Sequence, residues 1–474
     1  MLREGGFPSS IRTCYTASFF YRDVISLSAA VPPLLMIFFF FFNSCLRFSS
    51  FSLSVYSLRL RMFGLQNIFD YADCFGKSPP IALAGVNSHA RECVERHNDG
   101  SLGCKITSGD YGLRRLFVAN SSDAAQLELV SWWLERQRDY PLHITVYFSG
   151  TESLNDISVW ENFSQRLSKS TVEHTFELAV EGIESLPHFA VLSQWSEGIN
   201  LRKCKLTTLE PLGGFEQLSE LQLAYCVGTF SLDSLVACPN LTTVHVSYCS
   251  GVTGVEALDK LCHLKNVALR SCDITNVDFL KDCHMLVSVR VPGCEGLTSL
   301  SALSGLQKLT TVDAWGTNIT EVDSLSACAA LESVCVIGCE GLTSLSGLSG
   351  LRHLRTVEAG RTNITEVGSL SGCLALEYIG VVGCKKLTSL GGLSGLQKLK
   401  VIDATCAGIT EIGSLAGCTS LETVYINYCE GLTSLSGLSG LPNLKYVDAT
   451  ASPVPRDEHP EGWSPHTVIT FADV

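Results

Sequence analysis

The stretch that decides the fold is "SVCVIGCEGLTSLSGLSGLRHL", residues 333–354, in which apolar side chains recur at fixed intervals. Val334 and Val336 alternate with their neighbours as in a β-strand, and leucines then follow at every third position. A strand followed by a 3₁₀-like or irregular turn places both sets of apolar residues on one side of the chain. The stretch therefore predicts one coil of a solenoid in which strand and turn share a core.

The same pattern recurs along the chain with a period of 45 residues, and each unit splits into halves of 23 and 22. Both halves fit the pattern LxxLxLxx(N/C)x(x)L. Because one coil cannot bury its own apolar edge, neighbouring coils must stack. Two columns of cysteines mark the repeat: Cys204, Cys249, Cys294, Cys339, Cys384 and Cys429 in the first, and Cys238, Cys283, Cys328, Cys373 and Cys418 in the second.

These motifs resemble the leucine-rich repeat superfamily over residues 196–450, in its short internalin-like form. The resemblance implies an α/β solenoid of about twelve coils, with a parallel β-sheet on the concave face and short 3₁₀ or irregular convex turns, preceded by a small α/β flank. It also implies a protein-binding scaffold without enzymatic activity.

The amino-acid sequence within the repeats is similar to that of leucine-rich repeat proteins of trypanosomatid parasites, some of them expression-site-associated. The similarity rests on "CEGLTSLSGLSGL" at residues 339–351 and "GTNITEV" at residues 316–322. Some expression-site members carry a RING zinc module before their repeats. The paired CxxC ligands of that module are missing here, so a ubiquitin-ligase-type adaptor is only an alternative.

Composition favours a protein partner. The formal charge is −13, and lysines and arginines are scattered singly, which argues against the clustered basic surface of a nucleic-acid-binding protein. A basic or neutral partner fits better. The 21 cysteines are an odd number without a CxxC pair, which argues against a complete disulfide framework and a standard zinc finger. Reduced thiols in the cytoplasm or nucleus are therefore expected, with no cofactor.

Residues 1–61 form an apolar leader rich in Phe, Ser and Leu. Residues 24–42 are uncharged and long enough to cross a bilayer as a helix at ~1.5 Å per residue. Pro32 and Pro33 interrupt that helix. Two alternatives stay open: a signal or membrane anchor, which would place the protein at the membrane or cell surface, and an over-extended start with translation from Met62. Sequons that would be glycosylated in the first case begin at Asn120, Asn162, Asn240, Asn318 and Asn363.

Residues 62–195 are expected to form the small α/β flank or amino-terminal cap. A helix is predicted from Asp123, and the alternation in "PLHITVYF" predicts a strand that begins near Leu142. Residues 154–162 match one degenerate coil, or match it by chance. At the other end, residues 451–474 contain four prolines that are expected to end the strand stacking and leave a carboxyl-terminal cap or tail.

Catalytic and metal motifs do not stand out. The run "GGLSGLQK" lacks the spacing of a phosphate-binding loop, and "GLSGL" lacks that of a nucleophile elbow. One Cys/His cluster outside the repeats has irregular spacing, so incidental residues are preferred over a zinc site. This cluster comprises Cys74, His89, Cys93, His97 and Cys104.

The candidate binding surface consists of the middle residue of each strand, whose side chain should point to solvent on the concave face. From Asp313 onward an acidic residue recurs in every second coil. Strands stack ~4.8 Å apart, so these carboxylates should stand roughly 10 Å from one another, too far to share a metal but suited to basic side chains of a partner. The predicted row is Asn200, Gln222, His245, Ala268, Arg290, Asp313, Cys335, Glu358, Gly380, Asp403, Tyr425 and Asp448.

Positive charge concentrates in the earlier half of this face, where Arg202 and Arg270 join the row. Trp315 and Tyr425 are the best aromatic anchors. The alternative is that the acids are solvated residues copied by duplication. Cys335 should face solvent and be the thiol more open to modification, whereas a cysteine in the column should be buried. The predicted partner-binding residues are His245, Arg270, Arg290, Asp313, Trp315, Cys335, Glu358, Asp403, Tyr425 and Asp448.

Overall fold

The structure is a computed structural model. It describes residues 105–106, 114–119, 142–149, 157–170, 174–183, 189–456, 460, 462 and 466–471. The apolar leader, the Cys/His cluster of residues 74–104 and the helix expected from Asp123 lie outside the described residues. Across the described ranges, no helix has the length and apolar character needed to cross a bilayer.

The chain divides into two units. In the first, the short strand β1 (Lys105–Ile106) pairs antiparallel with β2 (Arg114–Ala119). In the second, β3 (Leu142–Ser149) confirms the strand predicted from alternation. Helix α1 (Ile157–Lys169) follows, so the interpretation of residues 154–162 as a degenerate coil is wrong. The helix forms because Phe163 and Leu167, one turn apart, bury the same face.

Fourteen strands of the second unit pair in parallel, each with the next coil's strand. A separate two-stranded parallel sheet joins β7 (Phe230–Ser231) and β9 (Val252–Thr253). The strands are β4 (His174–Glu181), β5 (Ser196–Arg202), β6 (Glu220–Ala224), β7 (Phe230–Ser231), β8 (Thr243–Ser247), β9 (Val252–Thr253), β10 (Asn266–Arg270), β11 (Ser288–Arg290), β12 (Thr311–Asp313), β13 (Ser333–Cys335), β14 (Thr356–Glu358), β15 (Tyr378–Gly380), β16 (Val401–Asp403), β17 (Thr423–Tyr425), β18 (Tyr446–Asp448) and β19 (Val468–Thr470).

Short 3₁₀ helices supply most of the convex turns, as predicted. They form where the leucine-rich segments turn back, and each buries at least one apolar side chain, such as Leu348, against the coil's own strand. The 3₁₀ helices are Phe189–Leu192, Glu210–Leu212, Asp233–Ala237, Val255–Lys260, Asp278–Leu280, Ser301–Leu303, Asp323–Ala327, Ser346–Leu348, Gly368–Gly372, Gly391–Leu393 and Ser436–Leu438.

The core is a continuous column of Val, Ile, Leu and Cys between the strands and the turns. In the coil that begins at Ser333, the side chains of Val334, Val336, Leu342 and Leu345 are 0% exposed. Full burial of one such side chain stabilises the fold by ~1.5–3 kcal/mol. The parallel ladder, the 3₁₀ turns and this shared core confirm the predicted α/β solenoid of leucine-rich repeats.

The parallel ladder extends beyond residues 196–450 at both ends. Strand β4 precedes it, and β19 follows β18 with Ile469 opposite Val447. The expectation that the prolines of residues 451–474 end the strand stacking is therefore wrong. Pro453, Pro455 and Pro460 lie in the connection between β18 and β19 and not within a strand, so their missing N–H groups cost no ladder hydrogen bond.

In each coil from Asn200 to Asp448, the third residue after the middle position of the strand has a positive φ and bends the chain. Its backbone N–H donates to the carbonyl of the next coil, as Arg361 does to Val382 at 2.7 Å, and so extends the ladder past the strand. This hydrogen bond offsets the conformational strain. Glycine fills the position in several coils, including Gly338. The non-glycine residues there are Lys203, Tyr225, Tyr248, Ser271, Arg361, Cys406, Tyr428 and Ala451.

Candidate functional site

The cysteine columns have a structural role. In the first column, the Cys339 thiol donates to the carbonyl of Ala314 in the preceding coil at 3.2 Å. In the second, the Cys328 thiol donates to Leu303 O at 3.1 Å. Burial raises the pKa of both thiols, so both stay protonated and unreactive near neutral pH. Cysteine suits these positions because it is small, apolar and still a weak donor.

The first column has more members than the 45-residue spacing indicated. Cys226 and Cys272 occupy the same position in intervening coils and also bond the previous coil's strand carbonyls. Cys226 lies between Cys204 and Cys249 in this column, and hydrogen bonding to Cys226 lowers the pKa of each of these two thiols. Among the described residues every cysteine is free, and no group of three or more ligating side chains is arranged to hold a metal.

The middle-residue row is confirmed as a single line of register. Asn200 lies opposite Gln222, and the pairing continues coil by coil to Asp448. Thr470 adds one further position, which the proline-rich tail concealed in the sequence. The residues on either side of each middle position point into the core, so the row forms the outward surface of the sheet.

The four acids of the row are not equivalent. Asp313, Asp403 and Asp448 each accept the backbone N–H two residues later, at 3.2, 3.1 and 3.0 Å. That contact holds the bend after the strand, as Asx side chains commonly do. Glu358 has no such bond, and its pKa is raised by burial and then by the charges of Asp403 and Asp313. The three aspartates therefore have a structural role that their spacing in the sequence did not predict. Glu358 does not share that role.

Aromatic rings lie among these acids. Tyr378 covers Gly380, since a side chain at that glycine would begin 3.0 Å from the tyrosine hydroxyl. Burial and the charges of Glu358 and Asp403 raise the pKa of Tyr378 to about 12. Tyr425 meets Tyr446 edge to face, with ring centroids 5.9 Å apart. We call the following residues the acidic aromatic patch: Glu358, Tyr378, Asp403, Tyr425, Tyr446 and Asp448.

Sequence reasoning missed Tyr378 and Tyr446 because both precede the middle position by two residues. The signal was present for Tyr378, since a glycine at the middle position leaves room for the ring of a neighbour on the same face. Trp315 is 45% exposed, and Asp313 accepts its backbone N–H, so it lies beside the row as predicted.

Cys335 and Cys339 differ as their positions predicted, with one correction. Cys335 is half-buried and Cys339 fully buried, so Cys335 is the more accessible of the two. However, burial raises the pKa of Cys335 to about 11, and the neighbouring charges of Asp313 and Glu358 add to the shift. The reactive thiolate is therefore scarce near neutral pH. Cys262, in a turn, is the more exposed thiol.

A row of alternating charges borders the acidic aromatic patch, one residue before each strand. Glu377 bridges two basic neighbours, at 2.6 Å from Lys400 and 3.3 Å from Arg355. Lys445 pairs with Glu422 at 2.7 Å. Exposed pairs of this kind contribute little stability. Their effect is to neutralise the basic groups of this edge and leave the carboxylates of the patch as its unpaired charge.

The earlier half of the face carries a stack of planar groups. The rings of Tyr225 and Tyr248 lie parallel with centroids 4.9 Å apart, and the Arg270 guanidinium lies 5.3 Å from the centroid of Tyr248. We call these three residues the tyrosine–arginine stack. Its sequence signal was a tyrosine directly before a column cysteine, as in "AYC" and "SYC". His245 lies nearby in the middle row, and burial lowers its pKa, so it is mainly neutral near pH 7.

Three of the sequon asparagines bridge adjacent coils, since the side-chain amide of Asn240 also donates to the preceding coil, to Glu216 O at 2.8 Å. The side-chain amide of Asn318 donates to Glu295 O at 2.7 Å, and that of Asn363 donates to Glu340 O at 2.6 Å. A sugar attaches to this same nitrogen, so glycosylation would disturb an inter-coil hydrogen bond. The recurrence of "TNIT" is explained by packing.

No protein-family model matches the chain, and neither does any curated protein. Solved structures with a similar fold include an internalin (InlF) of Listeria monocytogenes, at 17% identity and a TM-score of 0.46, covering 60% of this chain and 88% of that one. The functional domain of InlJ from the same bacterium, which includes a cysteine ladder, shows 20% identity and a TM-score of 0.44, with coverage of 63% and 66%. A leucine-rich repeat protein of Leptospira interrogans shows 14% identity and a TM-score of 0.42, with coverage of 69% and 89%.

Proposed function

We propose that this protein is a non-enzymatic interaction scaffold that binds a partner protein on the concave face of its solenoid. The observation that carries the proposal is the acidic aromatic patch. Most polar side chains of the coils have a packing or hydrogen-bonding role. Within the part of the chain that the structure describes, the Glu358 carboxylate and the Tyr425 hydroxyl make no side-chain hydrogen bond, although both residues stand on the outward face of the sheet. Aromatic residues next to unpaired charge are typical of binding hot spots.

The partner is proposed to present basic groups to this patch. Carboxylates in every second coil stand roughly 10 Å apart, which suits separate lysine or arginine side chains. Tyr425 and Tyr446 offer ring faces beside Asp403 and Asp448, and a cation gains ~0.5–1 kcal/mol or more over such a ring. No nucleic acid is expected as a partner, since phosphates would meet carboxylates here. Cytoplasm or nucleus is the proposed location, which the free cysteines support.

The test is to identify the partner by proximity labelling with the intact chain, and then to capture it with matched variants. Glu358→Lys combined with Tyr425→Ala should abolish capture. Glu411→Lys makes the same charge change at an exposed position outside the row and should leave capture intact. Equal capture of the partner by the wild type, the double variant and the Glu411→Lys variant would refute the proposal.

A surface or secreted receptor is the second candidate, supported by the uncharged residues 24–42 and the sequons. A ubiquitin-ligase-type adaptor is the weaker alternative. N-terminal sequencing of the mature protein, together with its mass before and after glycosidase treatment, tests the receptor proposal. A mature chain that begins at Met62 and shows no mass shift would contradict it.

A further inference from the structure

The earlier half of the concave face holds arginines that differ from the basic residues of the later half. Arg355, Lys400 and Lys445 are paired with glutamates. Among the described residues, Arg202 and Arg270 have no ion pair, although both are exposed on the outward face of the sheet. Glu181 lies opposite Arg202 in the sheet, but its carboxylate pairs with Lys203 at 2.7 Å. Guanidinium groups favour planar, two-point contacts with carboxylates.

These two arginines are aligned. Arg202 lies opposite Ala224, Ala224 opposite Ser247, and Ser247 opposite Arg270, all at the last position of their strands. The arginines are thus three strand spacings apart, ~14 Å at ~4.8 Å each. Only the small side chains of Ala224 and Ser247 lie between them, so the two guanidiniums border a shallow floor.

The tyrosine–arginine stack forms one wall beside this floor. Tyr225 is 51% exposed and Tyr248 is 40% exposed, so both rings present apolar edges to solvent. Contact with Tyr248 orients the Arg270 guanidinium before any ligand arrives. A group that is already ordered loses less entropy on binding. The floor, the wall and the unpaired charges together form a surface suited to an anionic, extended chain.

The spacing specifies that chain. An extended polypeptide advances ~3.4 Å per residue, and its side chains return to the same face at every second residue. Residues four apart are therefore on one face and ~14 Å apart, which matches the separation of Arg202 and Arg270. We propose that this surface binds an extended acidic segment of a protein partner, with Asp or Glu side chains four residues apart on the two arginines and the intervening backbone along Tyr225 and Tyr248.

Arg290 and His245 border the surface without being needed for it. Arg290 is next to Asp313 along the middle row, so its charge is partly compensated there. His245 is mainly neutral because burial lowers its pKa. The acidic segment is distinct from the basic partner proposed for the acidic aromatic patch, and its test uses different residues, so either proposal can fail alone.

The experiment measures fluorescence anisotropy of a labelled peptide that contains Glu-Thr-Ser-Thr-Glu, titrated with the full-length chain at low salt. Arg202→Glu and Arg270→Glu should each raise Kd at least tenfold. Lys281→Glu reverses a charge at an exposed turn and should change Kd less than twofold. Tyr248→Phe should retain binding, whereas Tyr248→Ala should weaken it several-fold because the stack is lost. Thermal melting of each variant checks that it is folded.

A peptide of the same composition with adjacent acids, Glu-Glu-Thr-Ser-Thr, tests the spacing and should bind at least fivefold more weakly. The inference is overturned by any of three results. The first is no saturable binding of the spaced peptide. The second is equal weakening by Lys281→Glu. The third is tighter binding of an oligothymidylate than of the peptide with the same dependence on Arg270, which would assign the surface to nucleic acid.

Discussion

At the scale of single residues, the first cysteine column shows how a buried backbone carbonyl receives a hydrogen bond inside an apolar core. The thiols of Cys339 and Cys384 are small enough to fit between coils and still donate to carbonyls of the preceding coil, at 3.2 and 3.1 Å. Thr317 and Thr362 occupy the same column, where their hydroxyls donate to carbonyls of their own coils, those of Ala314 and Ala359, at 2.8 and 2.7 Å. The position therefore requires a small donor and not sulfur chemistry.

Substitutions at Cys339 test that role. Cys339→Thr should change the free energy of unfolding by less than about 1 kcal/mol, because threonine already occupies this position in other coils. Cys339→Asp should cost about 3 kcal/mol or more, because it buries an unpaired charge. Urea denaturation followed by circular dichroism measures both. An equal loss for the two variants would show that the thiol itself is needed.

Two glycines of the same coil test different constraints. Gly338 has φ +70°, and an added Cβ would make only ordinary van der Waals contact with Gly316 at 3.7 Å, so Gly338→Ala should cost about 1–2 kcal/mol from backbone strain alone. Gly347 has ordinary φ, but an added Cβ would meet the backbone of Val322 and Asp323 in the preceding coil. Gly347→Ala should therefore cost more than about 2 kcal/mol, because the coils must separate.

Denaturation midpoints of the two variants, compared with that of the wild type, measure both losses of stability. If Gly338→Ala is the more damaging change, the close packing of coils at Gly347 is not a constraint on the fold.

At the scale of elements, the acids of the row influence one another although they lie on every second strand. Folding raises the pKa of Glu358, so the native state binds its proton more tightly than the unfolded chain does. Such a group contributes stability below its ordinary pKa, and this contribution is lost as pH rises through the raised pKa. At neutral pH the charged Glu358 therefore opposes folding.

Glu358→Gln should accordingly melt at or above the wild-type temperature at pH 7, and this advantage should disappear below about pH 4. Asp403→Asn is the matched control, because Asp403 accepts the Thr405 N–H at 3.1 Å and its amide oxygen can still do so. Melting curves from pH 3 to pH 8 measure both. A Glu358→Gln variant that is less stable than the wild type at pH 7 would contradict the coupling.

At the scale of the whole molecule, the periodicity of the sequence was enough to predict the fold. It was not enough to predict the contacts that individual residues make. Val334 and Val336 are dictated by the strand period, and the register of the middle row follows directly. The strand β19 was not predictable in this way, because the prolines before it suggested an end and the pairing that contradicts them is non-local.

The candidate site was predictable only in part, for the same reason. The middle row could be listed from spacing alone. The hydrogen bond that gives Asp403 a structural role, and the ring of Tyr378 over Gly380, depend on side-chain directions that a period does not specify. The tyrosine–arginine stack depends on the left-handed bend at Tyr225 and Tyr248, which turns residues beyond the strand toward one another.

The central claim is that the outward face of the parallel sheet binds the protein partner. Position 335 lies in the middle of that face, between Asp313 and Glu358, whereas Leu374 is 61% exposed in a turn outside it. The most direct measurement is photocrosslinking from a benzophenone amino acid placed at Cys335 or, separately, at Leu374, in the presence of the partner identified by proximity labelling. The account predicts a crosslinked product from position 335 and none from position 374. Crosslinking from position 374 alone would contradict it.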